Sequence, residues 1–202
     1  IEMLGIIAAL TQIGEIVATI AVTIEALKVV VNGIVAIGKA LGIVDPQMDA
    51  EELGTRALQA EEMGITPEQF DSYDEYIKRI QDDDWGFDPE KQRDPKEALQ
   101  KATEIVSGAA IENLGEKAGE FIRLAGTMSK FFTPERIGAL TELFVKDKSD
   151  VAKVTDYLSG KEMTSEDMRA AYNTLSTAEK AAHPAMKDTE INEFVMDLRE
   201  KQ

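Results

Sequence analysis

Two places in this chain carry residue types that could do chemistry. The first is Asp82-Asp83-Asp84-Trp85-Gly86-Phe87-Asp88, four carboxylates within seven residues. Such density invites a calcium reading, and a calcium loop of the helix–loop–helix kind wants acids at positions one, three and five with glycine at six. Counted from Asp82, Gly86 falls at five and no glutamate closes the loop, so the reading is a solvated acidic loop without a metal. Trp85 and Phe87 are expected to pin it to the core; the alternative is an aromatic anchor for a partner. The second place is His183, the only histidine, followed by Pro184. A general base needs a nucleophile or an orienting acid beside it, and no triad pattern accompanies this one. H-E-x-x-H, G-x-x-x-x-G-K-[ST] and G-x-G-x-x-G are all missing from the sequence, which removes the common zinc-protease, P-loop and dinucleotide readings. The expectation is no catalytic residue, no bound metal and no cofactor.

Charge narrows the partners. With 22 Lys+Arg against 38 Asp+Glu the 202-residue chain has a formal charge of -16, which opposes docking on phosphate backbones or on an anionic membrane surface. The basic residues are spread without an aromatic-interleaved patch, so no nucleic-acid partner is expected. There is no cysteine, hence no disulfide framework and no thiolate ligand. The chain begins at Ile1, as a processed, trimmed or excised chain would, and Glu2 with a long apolar stretch is unlike a secretory signal.

The elements that would position any site fall into two regimes. Residues 1 to 44 hold only Glu2, Glu15, Glu25, Lys28 and Lys39 among charged types; nearly all the acidity lies beyond Asp45-Pro46, a natural boundary because proline ends or restarts a helix. Met3, Leu10, Val17, Ile24, Val31 and Gly38 recur every seven residues, as do Ile6, Ile13, Ile20, Leu27, Ile34 and Leu41. That is an a/d seam over six heptads, longer than the three or four that argue for a coiled coil. The prediction is one continuous helix over 3–41 whose seam (Met3, Ile6, Leu10, Ile13, Val17, Ile20, Ile24, Leu27, Val31, Ile34 and Leu41) packs against copies of itself as a trimer or larger. Two alternatives remain: burial in the chain's own core, because helices apolar nearly all round are core helices, and a helical hairpin broken at Asn32-Gly33. Gly38 and Gly42 also have the G-x-x-x-G spacing that allows close helix approach. A simple membrane span is disfavoured, since an ionised Glu at mid-bilayer costs roughly 2.5 kcal/mol or more.

From Pro46 the sequence reads as short amphipathic helices with visible starts. Thr66-Pro67-Glu68-Gln69 has a capping threonine and proline at the first helical position, leading into Phe70, Tyr73, Ile77 and Ile80. Asp94-Pro95, Thr133-Pro134, Thr164-Ser165 and Ser176-Thr177 open four more. No window alternates well enough for a strand, and Gly108, Gly115, Gly119 and Gly126 are expected to loosen the middle. The fold class is therefore all-α, an apolar oligomerising helix at 1–44 followed by an acidic helical body at 45–202.

The stretch "LGIIAALTQIGEIVATIAVTIEALKVVVNGIVAIGKALGIV" resembles the Ala/Gly/Ile/Val-rich helical segments of tape-measure and ejected internal proteins of tailed bacteriophages. It covers about the first fifth of the chain and carries no functional residue across. The resemblance implies a virion location, in the tail or interior, and other virion proteins as partners. The expected function is a non-enzymatic, homo-oligomeric structural protein. The alternative is a membrane-active helical protein that inserts residues 3–44 when triggered.

Overall fold

A computed structural model describes residues 23 to 200. Among them are nine α-helices and no strand: α1 Ile24–Ala40, α2 Ala50–Glu62, α3 Tyr73–Gln81, α4 Pro95–Leu114, α5 Lys117–Thr127, α6 Pro134–Lys146, α7 Ser149–Leu158, α8 Ser165–Ala182 and α9 Asp188–Glu200. The all-α class is as the sequence reads.

Most helix starts follow from short polar side chains that accept an otherwise unpaired N–H of the first turn. Asp49 accepts from Glu52 N–H, Ser72 from Glu75 N–H, Thr164 from Asp167 N–H, and Asp94 from both Lys96 and Glu97 N–H ahead of Pro95. Two expected starts come out differently. Thr66-Pro67 yields only a single 3₁₀ turn, Pro67–Gln69, after which Phe70 is extended and Ser72 caps the real helix. Ser176-Thr177 lies inside α8, where buried Ala178 and Glu179 keep the helix going. A capping signature permits a start, and tertiary burial decides whether the start is used.

Helix α1 holds the centre. Thr23 is extended (φ -143°, ψ 155°) and its Oγ1 accepts from Ala26 N–H at 3.1 Å, so the helix expected to run unbroken over 3–41 instead begins at Ile24. It continues through Asn32-Gly33 without a hairpin; a Cβ on Gly33 would meet Ile137 Cδ1 at 3.0 Å, so the missing side chain admits α6. The helix ends at Gly42 (φ 72°), with Ile43 and Val44 N–H both returning to Gly38 O at 2.9 and 3.1 Å. A Cβ on Gly38 would stand 2.7 Å from Val44 Cγ2. The G-x-x-x-G spacing therefore serves this chain's own turn.

Helix α1 packs between α4 and α6 and also touches α5. Leu27, Val30, Val31, Ile34, Val35 and Ile37 are all buried. At roughly 1.5–3 kcal/mol for each fully buried side chain, their gross contribution is about 10 kcal/mol or more, comparable to the whole net stability of a domain. The boundary expected at Asp45-Pro46 is a turn inside one core. Lys39 Nζ donates to Pro46 O (3.0 Å), and Gln81 on α3 accepts from Asp45 N–H (2.7 Å) and donates to Ile43 O (2.8 Å).

Around this centre α2 and α3 pack on α4, while α8 joins α6 to α7 and carries α9 at the edge. Of the glycines expected to loosen the middle, Gly108 instead marks a close crossing of α3 and α4, where an added Cβ would lie 2.7 Å from the Tyr73 ring, and Gly115 ends α4 with φ 90°. Gly54 of α2 marks a second close crossing of α4, where an added Cβ would lie 1.7 Å from Ala98 O. No helix among the described residues is long and apolar enough to cross a membrane.

Candidate functional site

Of the expected oligomer seam, Leu27, Val31 and Ile34 are buried in the chain's own core, and Ile24 and Leu41 are half-buried at the two ends of α1. Three seam positions are thus already occupied by intramolecular packing, and an apolar face cannot serve two partners at once. Met3, Ile6, Leu10, Ile13, Val17 and Ile20 lie outside the described residues.

The acidic loop is built from α2. The Arg56 guanidinium, buried between helices, donates to Ile80 O, to Gln81 O (3.2 Å) and to Asp83 Oδ1 (2.9 Å), bonds Glu52 one turn earlier, and lies 4.0 Å above the Phe87 ring. Gln59 does the same for the far side: its Nε2 donates to Asp88 O and Lys91 O at 2.9 and 2.8 Å, and its Oε1 accepts from Asp88 N–H. Trp85 is buried, with Nε1 donating to Ile80 O at 3.1 Å, and so pins the loop. Asp82 and Asp84 pair with Arg79. Asp82, Asp83 and Asp84 thus have cationic partners of their own, and Asp88 accepts from Glu90 N–H at 3.0 Å. Among the described residues no group of three or more His, Asp or Glu is disposed to hold a metal ion. Phe87 is half-buried and lines an open cleft of about 610 Å³ with Asp49, Glu51, Glu52 and Arg93.

His183 ends α8, its Nδ1 3.0 Å from Glu179 Oε1. Glu179 is 2% exposed and receives Arg136 Nε and Nη2 at 2.6 and 2.8 Å, a bidentate pair. Arg136 also donates to Phe131 O (3.0 Å) and lies 4.3 Å over Phe194 of α9. The histidine thus stands at the edge of a structural ion pair that ties α6, α8 and α9 together. A second polar cluster ties α5 to α7: Lys117 and Lys161 each contact both Glu120 and Asp156, at 2.7–3.3 Å. Hydrogen bonds from Lys117 and then Lys161 hold Glu120 below the usual carboxylate range, and Lys161 is raised by its bonds to Asp156 and Glu120. Burial pushes the Tyr73 phenol up to about 12.

A different cleft, of about 650 Å³, opens between α8 and α9 over Tyr157 of α7, walled by Met168, Tyr172 and Met196. Its two charged lining residues are both arginines, Arg169 and Arg199. Neither the Arg56, Gln59 and Arg136–Glu179 connections nor this cleft was legible beforehand: partners 24 to 43 residues apart leave no local pattern. The one available signal was Met168 and Tyr172 at i,i+4, a spacing that places them on one helical face.

A scan against models of protein families, a search of curated proteins and a search of solved structures returned no match to this chain.

Proposed function

We propose that this chain is a non-enzymatic assembly protein of a virion, in the tail or interior, that self-associates through the apolar segment preceding Thr23. The observation that carries the reading is the division of the apolar stretch at Thr23. Beyond it, the heptad positions feed the body's own core; before it, Met3, Ile6, Leu10, Ile13, Val17 and Ile20 keep the seven-residue register. The body is then an anchor of tightly interlocked helices, and assembly falls to residues 3–20. The phage-like texture of the segment supplies the virion setting, and the charge of -16 keeps unassembled chains apart in solution.

Molar mass by light scattering tests this on the full chain. A trimer or larger is expected, reduced to a monomer by Ile13→Asp with Val17→Asp while the helical circular dichroism stays unchanged. A full chain already monomeric, or equal masses for both, would overturn self-assembly through this segment.

One observation favours the membrane-active reading as the runner-up. With α1 beginning at Ile24, the segment from Met3 to Val22 has Glu15 as its only charged residue. As a helix its length would match a hydrocarbon core of ~30 Å. Flotation of the full chain with lipid vesicles, abolished by Ile13→Asp with Val17→Asp, would put that reading ahead.

A further inference from the structure

We infer that the groove between α8 and α9 is the docking site for an acidic amphipathic helix of another protein in the assembly. This deepens the assembly reading by assigning a partner-facing surface that is separate from residues 3–20.

The groove has an apolar body. Met168 and Tyr172 form one wall, Met196 forms the other at 47% exposure, and Tyr157 lies beneath. Methionine is unbranched and polarisable, and it moulds to a partner's apolar side chains at little cost. Tyr172 is held in place by its hydroxyl, which bonds Asn192 Oδ1 at 2.8 Å across the two helices. The wall is therefore fixed where it must be and soft where it meets the occupant.

Charge decides what that occupant carries. Of the seven arginines, Arg56, Arg79, Arg93 and Arg136 are ion-paired, while Arg123, Arg169 and Arg199 have no ion pair among the described residues, and two of these three line the groove. Arg169 makes no ion pair or hydrogen bond among the described residues, although Glu166 stands one turn before it on the same helix. Arg199 is anchored on the opposite helix by Nη1 to Tyr157 O (3.1 Å) and Nη2 to Lys161 O (2.8 Å), with its guanidinium 5.1 Å over the Tyr157 ring. Two cations on facing helices, one of them unpaired and exposed, flank an apolar channel. A partner with apolar side chains between carboxylates satisfies all of it.

Shape selects a helix. Ser165, Met168, Arg169 and Tyr172 lie at i, i+3, i+4 and i+7 along α8, and Met196 and Arg199 at i and i+3 on α9. A groove two helical turns long between two helices has the spacing that a third helix's i, i+3/i+4, i+7 side chains fill. No sheet edge exists among the described residues to take an extended strand.

The test uses the full chain, labelled with ¹³C at the methionine methyls, and a synthetic peptide of about four helical turns bearing leucine on one face and glutamate on the other. Met168 and Met196 methyl signals are expected to shift on titration, with Met48 and Met128 unmoved. The same peptide with lysine in place of glutamate should bind at least about tenfold more weakly, and Arg169→Glu should weaken the glutamate peptide by a similar factor, each equivalent to about 1.4 kcal/mol. Met196→Ala, at a half-exposed position that leaves the fold intact by circular dichroism, should weaken it several-fold. No binding, equal binding of the two peptides, shifts confined to other methionines, or an unaffected Arg169→Glu would each overturn the proposal. Repeating the titration on the Ile13→Asp, Val17→Asp chain separates the two readings. Binding retained there leaves the groove assigned even if self-association through residues 3–20 fails.

Discussion

Helices α1 and α9 are both apolar-striped, yet the fold uses them in opposite ways. In α1 the residues from 33 to 38 are buried without a break, and four helices, α2, α4, α5 and α6, close round it. In α9 only Ile191, Val195 and Leu198 are fully covered, a single stripe at spacings of four and three, while Met196 on the adjoining face stays in solvent. The centre cannot change without the whole core changing. The edge can offer a face to something else. A helix apolar all round is a core helix before it is anything more, and that explains why α1 is occupied within the chain while the open groove lies beside α9.

The largest effect should come from removing the centre. Deleting residues 1–44 is expected to abolish cooperative thermal unfolding, because α4 and α6 lose the helix between them; deleting residues 1–22 should preserve it. A cooperative melt of the shorter chain, followed by circular dichroism, would show that α1 is dispensable and erase the contrast.

Next come paired substitutions at matched burial. Leu27 and Leu198 are both 0% exposed. Leu27→Asp buries an unpaired carboxylate in the core and should cost several kcal/mol, enough to unfold the domain. Leu198→Asp should release α9 alone, seen as loss of amide protection in residues 188–199 while α1 and α4 stay protected. Equal global unfolding by both would make α9 part of the same cooperative unit.

The link between the two regions is the Arg136–Glu179 pair, with Phe194 beneath the guanidinium. Glu179→Gln leaves Arg136 half-buried without its charge partner, and a loss of about 3 kcal/mol in urea denaturation is expected. A loss under about 1 kcal/mol would mean that the tie is ornamental. Gly138 of α6 has nothing within 4 Å of an added Cβ, so Gly138→Ala should stabilise by about 0.5–1 kcal/mol, whereas Gly54→Ala should destabilise by more than that through the Ala98 carbonyl.

The smallest effect concerns pH. Lys117 and Lys161 hold Glu120 below its ordinary value, and hydrogen bonds from Lys161 and then Lys117 outweigh burial to do the same for Asp156. A carboxylate lowered in the folded state gives stability that is fully present above its unfolded pKa and is lost as pH falls through the lower folded one. The α5–α7 tie should therefore be intact at neutral pH and fail below about pH 4. Glu120→Gln should flatten the acid limb of the stability profile by less than about 1 kcal/mol, as expected for a solvent-screened cluster. An unchanged acid limb would remove Glu120 from the account.

How much was legible follows from the range of each interaction. The all-helical class, the Asp94, Thr133 and Thr164 starts, and the role of Trp85 as a pin were all readable, because each rests on neighbours within a turn or two. The heptad register was readable too, but its meaning was not. A seven-residue repeat reports which side chains share a face and is silent on whether that face meets a second copy or α4 and α6 of the same chain. Thr23 could equally have been an outward position of a continuous helix; its extended backbone became apparent only in the structure.

By itself, then, the sequence determined what nearest neighbours decide: where polar side chains can cap, which residues are apolar, and how the charge is apportioned between the first 44 residues and the rest. The tertiary structure alone decided that α1 belongs to the body's core, that Gly38 and Gly54 exist for close approach, that Arg136 meets Glu179 across 43 residues, and that Arg169 faces an open apolar groove. The physical reason is that burial and ion pairing depend on distances in space between residues far apart in the chain, and a local pattern constrains those distances only after packing has chosen among the faces it offers.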